Sequence, residues 1–407
     1  MRIGFISYEF PPDTGKGGIG TYITQVATLL ANLNWDIHVF AGSFERNITE
    51  KINGFTVHRV LCTNPFDFRQ LVVNAFEKEH MEQPFQLMES PEIHGNAWEI
   101  KKKFASLPLV VRFHAPDSLV ESLKKKYAPF FSKLRFFFGA LRRFKWDAGY
   151  WRKYDKKRDP DYDFTSLADH LVAPSVMMKK WINEYWGINN SKIEIVPNPF
   201  NPSSALLDIP IEKAYAHKTI IFFGRLNVLK GLVNATQTVK KILSKYPEWR
   251  FKIIGDDGPG PVPGGHGMKA WMQQQLQPFQ SRVSFFPGVD YSELPALIRE
   301  GEIVLLPSLF ESFSYTCAEA MAAGKCVVAS LNTGMSDMIQ NLTNGILVDP
   351  ENITEIFDAV ELLIKDEALG YHMATNAREM IKTKYTPAKL DPLYTEFYKK
   401  VVSQQIN

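Results

Sequence analysis

Glu311 and Glu319 are the pair of residues whose types and spacing most directly suggest chemistry. The apolar run Ile303–Leu306 predicts a buried parallel strand, and a helix is predicted over residues 314–323, ended by Gly324. One carboxylate therefore follows the carboxyl end of a strand, where open α/β sheets bind ligands, and the other lies on the next helix. The N-terminus of that helix favours phosphate, so two carboxylates beside it suit a hydroxyl-rich ligand that carries phosphate, such as a nucleotide-sugar.

The glutamate pair also has a purely structural explanation, in which Thr316 and Glu319 form a capping box and Glu311 is a solvated loop charge. The surrounding residues weigh against it, because the stretch resembles the E-x7-E motif of retaining GT-B glycosyltransferases, in particular family-four enzymes. Ser314 stands where that family usually has Gly, and Cys326 stands where it usually has Pro. The positions that match the motif are Ser308, Glu311, Phe313, Glu319, Ala320, Met321, Ala322, Gly324, Val327 and Val328.

A second segment of interest follows the predicted strand Thr219–Phe223 and has the sequence GRLNVLKG. It resembles the family's G-R-L-x3-K-G element, which implies that Arg225 and Lys230 bind the donor diphosphate. The chemistry is reasonable, because fixed cations stabilise the negative charge that develops on a departing nucleoside diphosphate. A basic loop after a strand is usually a solvated surface, but its combination with the two glutamates favours a diphosphate site.

The resemblance implies a role for each residue of the predicted donor site. Glu319 would bind ribose hydroxyls, and Glu311 would bind a sugar hydroxyl. The nucleotide-sugar is itself the co-substrate and the two cations already offset its charge, so we expect neither a cofactor nor a metal ion. The backbone groups expected to contact sugar or phosphate belong to Gly224, Phe313, Ser314, Tyr315 and Thr316.

The glycine-rich segment from Gly15 to Gly20 satisfies the dinucleotide-binding pattern G-x-G-x-x-G, but its context does not fit an oxidoreductase. Residues 8–14 separate it from the preceding strand, and no acidic residue ends the second predicted strand. It resembles instead the family's P-P-x-x-G-G-x-G loop, in which Gly17 and Gly18 would let the backbone approach the donor phosphate. A plain turn at the start of a helix is the alternative.

Three further candidates follow strands of the first half. His114 ends the predicted strand 109–113 and resembles the family's strand-His element, whose histidine lies near the reactive carbon of the sugar. Glu92 and His94 follow the preceding strand, and we predict that they bind the acceptor. The segment 161–163 is a formal DxD, the metal motif of a different glycosyltransferase fold, and we interpret it as solvated surface because it lies in a charged helical region.

The 407 residues are too many for one typical core, so two domains are expected. Strand and helix patterns alternate as in parallel α/β layers, and the proline-dense segment 197–202 predicts a linker. Together with the resemblance, this predicts a GT-B fold, with two Rossmann-like domains whose parallel sheets face each other across a cleft. The acceptor domain would be residues 1–199, completed by a C-terminal helix at about 388–407 that crosses back, and the donor domain residues 200–387. The predicted strands are 3–7, 37–41, 57–61, 85–88, 109–113, 170–173 and 193–196, then 219–223, 251–254, 283–286, 303–306, 326–329 and 346–348.

The composition, with 45% hydrophobic and 22% charged residues, is ordinary for a soluble globular protein. Three cysteines cannot form a disulfide framework, and reduced buried thiols fit a cytoplasmic location. The N-terminal apolar run is too short for a signal peptide, and no stretch reaches the roughly 18 apolar residues of a membrane span. The net charge of +3 argues against nucleic acid as a partner.

The segment from Lys124 to Arg158 is strongly basic and rich in aromatic residues. Thirteen Lys and Arg residues accompany three acidic residues between positions 121 and 158. One hypothesis is a peripheral contact with anionic lipid on the inner face of the membrane, which would bring a lipid-linked acceptor to the first domain. The alternatives are helices that bury their aromatic side chains while the cations face water, and an aromatic platform for a soluble saccharide.

Taken with the resemblance, the residues predict a retaining glycosyltransferase of the hexosyltransferase type. It would move a sugar from a UDP- or GDP-linked donor to a hydroxyl of a saccharide, a lipid-linked acceptor or a small molecule. Two alternatives stay open. A nucleotide-sugar 2-epimerase of the same fold would form product without an acceptor, and a non-catalytic nucleotide-sugar-binding protein would bind the donor without turnover.

Overall fold

The computed structural model describes residues 1–15, 17–127, 134, 138–139, 142, 154–262 and 265–404. The chain divides into two compact units. The first comprises Met1–Leu119, Asp155–Asn201 and Lys384–Asn407, and the second comprises Pro202–Thr383. The described residues of Val120–Tyr154 are grouped with the second unit, whereas the division based on the sequence places them in the first domain.

In the described residues, the first unit is built on an eight-stranded sheet and the second on a six-stranded sheet. The strands of the first unit are β1 (Arg2–Ser7), β2 (Asp36–Ser43), β3 (Ile48–Ile52), β4 (Phe55–Leu61), β5 (Leu87–Pro91), β6 (Leu109–Arg112), β7 (His170–Ala173) and β8 (Ile193–Ile195). Those of the second unit are β9 (Thr219–Phe223), β10 (Arg250–Ile254), β11 (Val283–Phe286), β12 (Ile303–Leu306), β13 (Cys326–Ser330) and β14 (Ile346–Val348).

The helices of the described chain complete each α/β unit. They are α1 (Gly18–Asn32), α2 (Pro65–Glu82), α3 (Trp98–Lys103), α4 (Asp117–Tyr127), α5 (Pro160–Thr165), α6 (Val176–Trp186), α7 (Ser204–Leu207), α8 (Leu232–Lys245), α9 (Met268–Gln275), α10 (Leu294–Ile298), α11 (Tyr315–Ala322), α12 (Ile353–Lys365), α13 (Glu367–Lys384) and α14 (Pro387–Ser403). Short 3-10 helices cover Ile93–Gly95, Lys156–Arg158, Asn190–Lys192, Val228–Lys230, Gln277–Arg282 and Gly334–Asp337. None of the described helices combines the length and the apolar content that crossing a bilayer requires.

Each sheet has a point at which the strand order reverses. The orders are β3-β4-β2-β1-β5-β6-β7-β8 and β11-β10-β9-β12-β13-β14, so that β1 lies between β2 and β5, and β9 lies between β10 and β12. The central strands β9 and β12 are buried along their whole length, as the apolar runs predicted. Ligands bind beyond the carboxyl ends of the strands at such reversal points, so these two edges are where functional residues are expected.

Most predicted strands are confirmed, and those at Thr219–Phe223, Val283–Phe286 and Ile303–Leu306 match to the residue. The sequence prediction missed β3, which pairs antiparallel with β4 at the edge of the first sheet. β3 has no fully buried residue, so it lacks the apolar run that identified the other strands. The available signal was the two-residue turn between β3 and β4, where Asn53 and Gly54 have positive φ, as an Asn-Gly hairpin requires.

A buried ion pair between the middle of β5 and the last residue of β6 organises the first unit. Glu89 and Arg112 are 2% and 0% exposed, and Arg112 Nε lies 3.1 Å from Glu89 Oε1. Tyr22 from α1 donates a hydrogen bond to Glu89 Oε1 at 2.6 Å, and Tyr398 from α14 donates to Glu89 Oε2 at 2.8 Å. Arg112 also donates to the carbonyl of Val196 at 2.9 Å. These contacts compensate two charges that would be costly to bury unpaired.

The C-terminal helix α14 therefore belongs to the first unit, although it follows the second in the chain. Its buried face carries Tyr394, Phe397, Tyr398 and Val401, the residues whose helical spacing predicted this packing. Tyr394 donates to the carbonyl of Pro197 at 2.9 Å, so the helix also contacts the segment that precedes the second unit.

Candidate active site

Two adjacent strands of the second unit carry the predicted donor residues at their carboxyl ends. β9 and β12 pair in parallel, with Ile220 beside Ile303, and the chain leaves both strands at the same edge of the sheet. The two loops that follow are joined directly, because the Leu309 N–H donates to the Leu229 carbonyl at 2.7 Å. The sheet thus brings together segments that are about eighty residues apart in the sequence.

One glycine allows this close approach, and a second has the positive φ that ends β9. Gly231 has φ +68°, and a Cβ there would lie 1.7 Å from the Pro307 carbonyl oxygen, so no other residue fits without moving the loop. Gly224 has φ +132°, and a Cβ there would lie 3.8 Å from Thr316 Oγ1. The end of β9 therefore lies beside the first turn of α11, where the predicted phosphate-binding backbone begins.

Lys230 and Glu311 form an ion pair at this edge, between Lys230 Nζ and Glu311 Oε1. Their side chains are 25% and 14% exposed, so both retain contact with solvent. Ser308 donates to the same carboxylate oxygen at 3.2 Å, and the Glu311 carbonyl accepts from the Gly334 N–H at 2.7 Å. The structure therefore places a cation and a carboxylate, predicted separately from two motifs, in direct contact.

Arg225 differs from Lys230 in its surroundings. It follows β9 directly, its side chain is exposed, and no carboxylate pairs with it in the part of the chain that the structure describes. The neighbouring Asn227 accepts a hydrogen bond from the Lys230 N–H at 3.1 Å, which fixes the turn that separates the two cations. Arg225 is thus a cation available to a ligand at the carboxyl edge of the sheet.

Glu319 lies on α11 and retains partial exposure, yet the protein that surrounds its carboxyl group raises its pKa to about 8 because burial penalises the charged form. Among the described residues, no donor forms a hydrogen bond with this carboxyl group. Glu319 and Glu311 are therefore in different states, since Glu311 is ion-paired and Glu319 has unused acceptor capacity. A partly exposed carboxyl group with unused acceptor capacity is suited to ligand hydroxyls.

Ser314 occupies the position where the family that the motif resembles usually has glycine. The structure shows which backbone conformation this position requires. Its backbone has φ +81° and ψ +85°, a left-handed conformation that glycine adopts without strain. The serine hydroxyl accepts a hydrogen bond from the Cys317 N–H at 3.3 Å and caps α11. The cap partly compensates the strain of a side chain at this position. Nearby, Phe313 is buried, and its ring lies 5.2 Å from that of Tyr315.

In the first unit, Gly17 and Gly18 are exposed at the start of α1. A Cβ on Gly18 would meet no atom within 4 Å, and one on Gly17 would meet only Glu9 Oε2 at 3.4 Å. Steric fit inside the unit therefore does not require glycine at either position. Open backbone of this kind at a helix N-terminus is consistent with the predicted approach of a phosphate.

His114 follows β6 and is 7% exposed. Burial, followed by the charge of Arg112, lowers its pKa to about 3, so the imidazole is neutral at physiological pH. Its ring lies 5.3 Å from that of Tyr22. A neutral imidazole of this kind can form hydrogen bonds with a ligand but cannot supply a positive charge.

Glu92 does not fit the predicted role of acceptor ligand, because it is fully buried. Its two carboxylate oxygens accept hydrogen bonds from the His114 N–H at 2.9 and 3.0 Å, and Oε1 also accepts from the Ala115 N–H at 2.6 Å. Burial raises its pKa to about 8 against the effect of these donors. Glu92 is a positioning residue that fixes the backbone at His114.

The backbone at His94 is bound by the carboxylate of Asp161, a residue that the sequence interpretation assigned to solvated surface. Asp161 is 3% exposed, so that interpretation was wrong for it. Its oxygens accept from the His94 N–H at 3.0 Å and from the Asp117 N–H at 3.1 Å, which satisfies two loops at once. The His94 ring is partly exposed and lies 2.9 Å from the Asp117 carboxylate, which raises the pKa of the histidine. His94 therefore remains a candidate acceptor ligand.

Most of the basic aromatic segment from Lys124 to Arg158 lies outside the described residues. The hypotheses of lipid contact, aromatic packing and a saccharide platform therefore all stay open. Sedimentation with anionic vesicles at low ionic strength separates them, since lipid contact requires an association that weakens as salt is added.

Comparisons with known proteins agree with this architecture. The family description "Glycosyltransferase Family 4" matches residues 16–204, and "Glycosyl transferases group 1" matches residues 210–380. Among solved structures, sucrose-phosphate synthase from Thermosynechococcus elongatus superposes with a TM-score of 0.73 at 16% identity, over 99% of both chains. The Anabaena protein HepE in complex with UDP superposes with a TM-score of 0.70 at 17% identity, over 98% of this chain and 100% of HepE.

The fold and the two family matches define a glycosyltransferase of the GT-B class. More narrowly, the chain belongs with the family-4-like GT-B glycosyltransferases, since the two matches together span nearly all of it. An uncharacterized glycosyltransferase of Methanocaldococcus jannaschii is 22% identical over 403 residues, which are 95% of this chain and 95% of the relative.

Proposed function

We propose that this glycosyltransferase transfers a sugar from a nucleoside-diphosphate sugar to a hydroxyl acceptor with retention of anomeric configuration. The observation that supports this most directly is the grouping at the β9–β12 edge of two cations, an ion-paired glutamate and a glutamate with free acceptor capacity. Cations suit a diphosphate, and free carboxyl oxygens suit the hydroxyls of a ribose. No observation specifically favours an epimerase or a non-catalytic binding protein.

The donor diphosphate would bind between Arg225, Lys230 and the first turn of α11. The N–H of Thr316 finds no acceptor within the described parts of the chain, so it is available to a phosphate oxygen. Arg225 can bind two oxygens at once, and Lys230 supplies a point charge. Because Lys230 is paired with Glu311, the diphosphate would share this cation with the carboxylate.

The sugar hydroxyls would be bound by Glu311 and the ribose hydroxyls by Glu319. His114 would contribute a neutral hydrogen-bonding group near the transferred sugar, with its backbone fixed by Glu92. Retention follows the mechanism proposed for the resembling family, in which reaction occurs on one face of the sugar and the departing phosphate oxygen helps to deprotonate the acceptor.

We propose that catalysis needs no metal ion, because Arg225 and Lys230 can offset the charge of the departing diphosphate. No group of three side chains with the spacing of a metal site occurs at the β9–β12 edge within the described residues. UDP is the first nucleotide to test, because the structurally similar Anabaena HepE was solved with UDP, and GDP is the alternative.

The proposal is tested by thermal unfolding in the presence of UDP, GDP, ADP and their glucose conjugates. A ligand at 100 times its dissociation constant adds about 2.7 kcal/mol to the stability of the protein, which is readily measured. The conjugate that stabilises the protein is then incubated with candidate acceptors, and NMR of the product gives its anomeric configuration.

The proposal would be supported if one nucleotide and its glucose conjugate stabilise the protein and the sugar in the product keeps the anomeric configuration of the donor. Inverted product would refute retention. Formation of a new nucleotide-sugar without any acceptor would identify an epimerase. Absence of stabilisation by every nucleotide would contradict the donor site itself.

A further inference from the structure

Two buried histidines and a glutamate form a cluster that the proposed transferase reaction does not use. His38 lies near the start of β2, His58 lies on β4, and Glu79 lies on α2, which packs against both strands. Their nearest ligating atoms all lie within 4.8 Å of one another. The cluster is in the amino-terminal part of β2, away from the carboxyl edge of the sheet that carries His114 and the glycine-rich loop.

The facing atoms have the spacing of a cation site. His38 Nδ1 and His58 Nε2 are 2.8 Å apart, and Glu79 Oε2 lies 3.8 Å from His38 Nδ1. Two imidazole nitrogens that bind one ion at 2.0–2.1 Å are separated by about 3 Å, so the present spacing is close to that of a bound pair. The ring planes are 12° apart with centroids separated by 5.1 Å, so the two nitrogens point at each other and both rings must rotate for their lone pairs to converge on one ion. We propose that His38, His58 and Glu79 bind a divalent transition-metal cation, for which Zn²⁺ is the appropriate probe.

The two histidines have partners of the kind that orient metal ligands. His38 Nε2 lies 3.1 Å from Asp36 Oδ1, which gives the carboxylate–histidine–metal arrangement. His58 Nδ1 lies 3.0 Å from Thr49 Oγ1. Glu79 Oε2 lies 3.3 Å from Arg2 Nη2. The two histidines are thus each held by a second residue. Glu79 differs, because Oε2, its oxygen nearest to His38 Nδ1, is itself paired with Arg2, and its Oε1 lies 4.0 Å from His58 Nδ1.

The charges also suit a divalent cation. Glu79 and Asp36 contribute two negative charges, and Arg2, which lies 3.3 Å from both carboxylates, contributes one positive charge. Each imidazole in its neutral form offers one lone pair to a cation. The local sum before binding is therefore negative by one charge.

Binding requires rotation of the two rings and a change of histidine tautomer. Without an ion, one proton must lie between His38 Nδ1 and His58 Nε2, since two lone pairs would repel at this distance. With an ion, that proton moves to His58 Nδ1, where Thr49 Oγ1 accepts it. Glu79 is 19% exposed and Asp36 is 49% exposed, so the ion can enter from their side of the cluster.

The test uses the full chain without an affinity tag, treated with a chelator and then dialysed. Elemental analysis after exposure to Zn²⁺ should give one bound ion per chain, and Zn²⁺ should raise the thermal unfolding temperature. Co²⁺ should give the visible absorption of a histidine-bound ion. His38→Gln and His58→Gln should each remove stoichiometric binding. His170→Gln, which changes a partly buried strand histidine elsewhere in the same unit, is the matched control and should bind normally.

Asp36→Asn is the informative variant if the histidine variants fail to fold, because Asp36 is partly exposed and lies outside the buried core. Loss of an orienting partner should weaken Zn²⁺ binding 10- to 100-fold while leaving one site per chain. Transferase turnover should be unchanged in Asp36→Asn. Absence of stoichiometric Zn²⁺ uptake by the unmodified chain would overturn the proposal and leave a hydrogen-bonded histidine pair. Undiminished uptake by folded His38→Gln or His58→Gln would do the same.

Discussion

Replacing Glu319 with Gln should make the ligand-free protein more stable while it weakens nucleotide binding. The carboxyl group has a pKa of about 8 against the ordinary value of 4.5, and no hydrogen-bond donor compensates it in the described chain. The folded state therefore disfavours the charged form. Gln has nearly the same shape, retains a carbonyl acceptor and cannot ionise, so the variant removes this penalty. It also removes the carboxylate form, which hydrogen bonds from the ribose hydroxyls would stabilise in the complex.

The size of the effect depends on pH. The rise of the Glu319 pKa from 4.5 to about 8 corresponds to at most about 5 kcal/mol of stability. Because Glu319 keeps partial contact with solvent, we expect the variant to gain roughly 1–2 kcal/mol. A group whose folded pKa is raised costs nothing below the unfolded pKa near 4.5, and its cost grows as pH rises toward 8 and then levels off. The gain should therefore be small near pH 5 and largest near pH 8.

Urea unfolding at both pH values measures the gain, and titration with free UDP measures the binding. Loss of a hydrogen bond to a charged group is worth about 1.5–3 kcal/mol, so the affinity for the nucleotide should fall roughly 10- to 100-fold. Glu311→Gln is the matched control. It breaks the ion pair with Lys230, so it should not stabilise the protein, and it should lower turnover more than affinity for UDP. A stability gain that is equal at both pH values, or equal losses of UDP affinity in the two variants, would refute the reasoning.

Three other predictions follow from the same edge of the sheet. Arg225→Ala and Lys230→Ala should each cost about 2–5 kcal/mol in transition-state stabilisation, measured as kcat/KM, with the fold retained; near-normal turnover in both would remove the diphosphate assignment. Ser314→Gly should raise the free energy of unfolding by about 0.5–1 kcal/mol, because relief of the left-handed backbone strain exceeds the loss of the cap. Ser314→Ala loses the cap and keeps the strain, so it should be less stable than the parent, and equal stability of the two variants would be inconsistent with this explanation. Turnover should not depend on Mg²⁺ or Mn²⁺, and activity that EDTA abolishes and these ions restore would contradict the proposed mechanism.

The sequence was informative wherever the signal is local. β9 and β12 are short apolar runs bounded by Gly or Pro, and the residues that follow them form continuous motifs. Parallel pairing then brings the two motifs to one edge without further information. The sequence could not show that Lys230 is paired with Glu311 rather than with a ligand, because that contact depends on the loop conformation fixed by Leu309 and Gly231.

The misinterpreted residues share a different property, which is that their partners are distant in the sequence and often belong to the backbone. Asp161 looked solvated because its neighbours are charged, but its partners are N–H groups 67 and 44 positions away. Glu92 looked like a ligand because it follows a strand, but it binds the backbone 22 positions later. Residue types near a carboxylate therefore did not reveal whether it faces water, a ligand or the main chain.

The buried pair of Glu89 and Arg112 has a consequence for recombination between relatives. Both oxygens of Glu89 are occupied, one of them by Tyr398 from the C-terminal helix, and Tyr394 of the same helix binds the Pro197 carbonyl. A chimera that exchanges donor domains at a single crossover near residue 201 would take its last helix from the other parent. Unless that parent supplies equivalent hydroxyls, a charge would be left buried with fewer partners. Two crossovers, one near 201 and one near 384, would keep the helix with the half of the protein in which its partners lie.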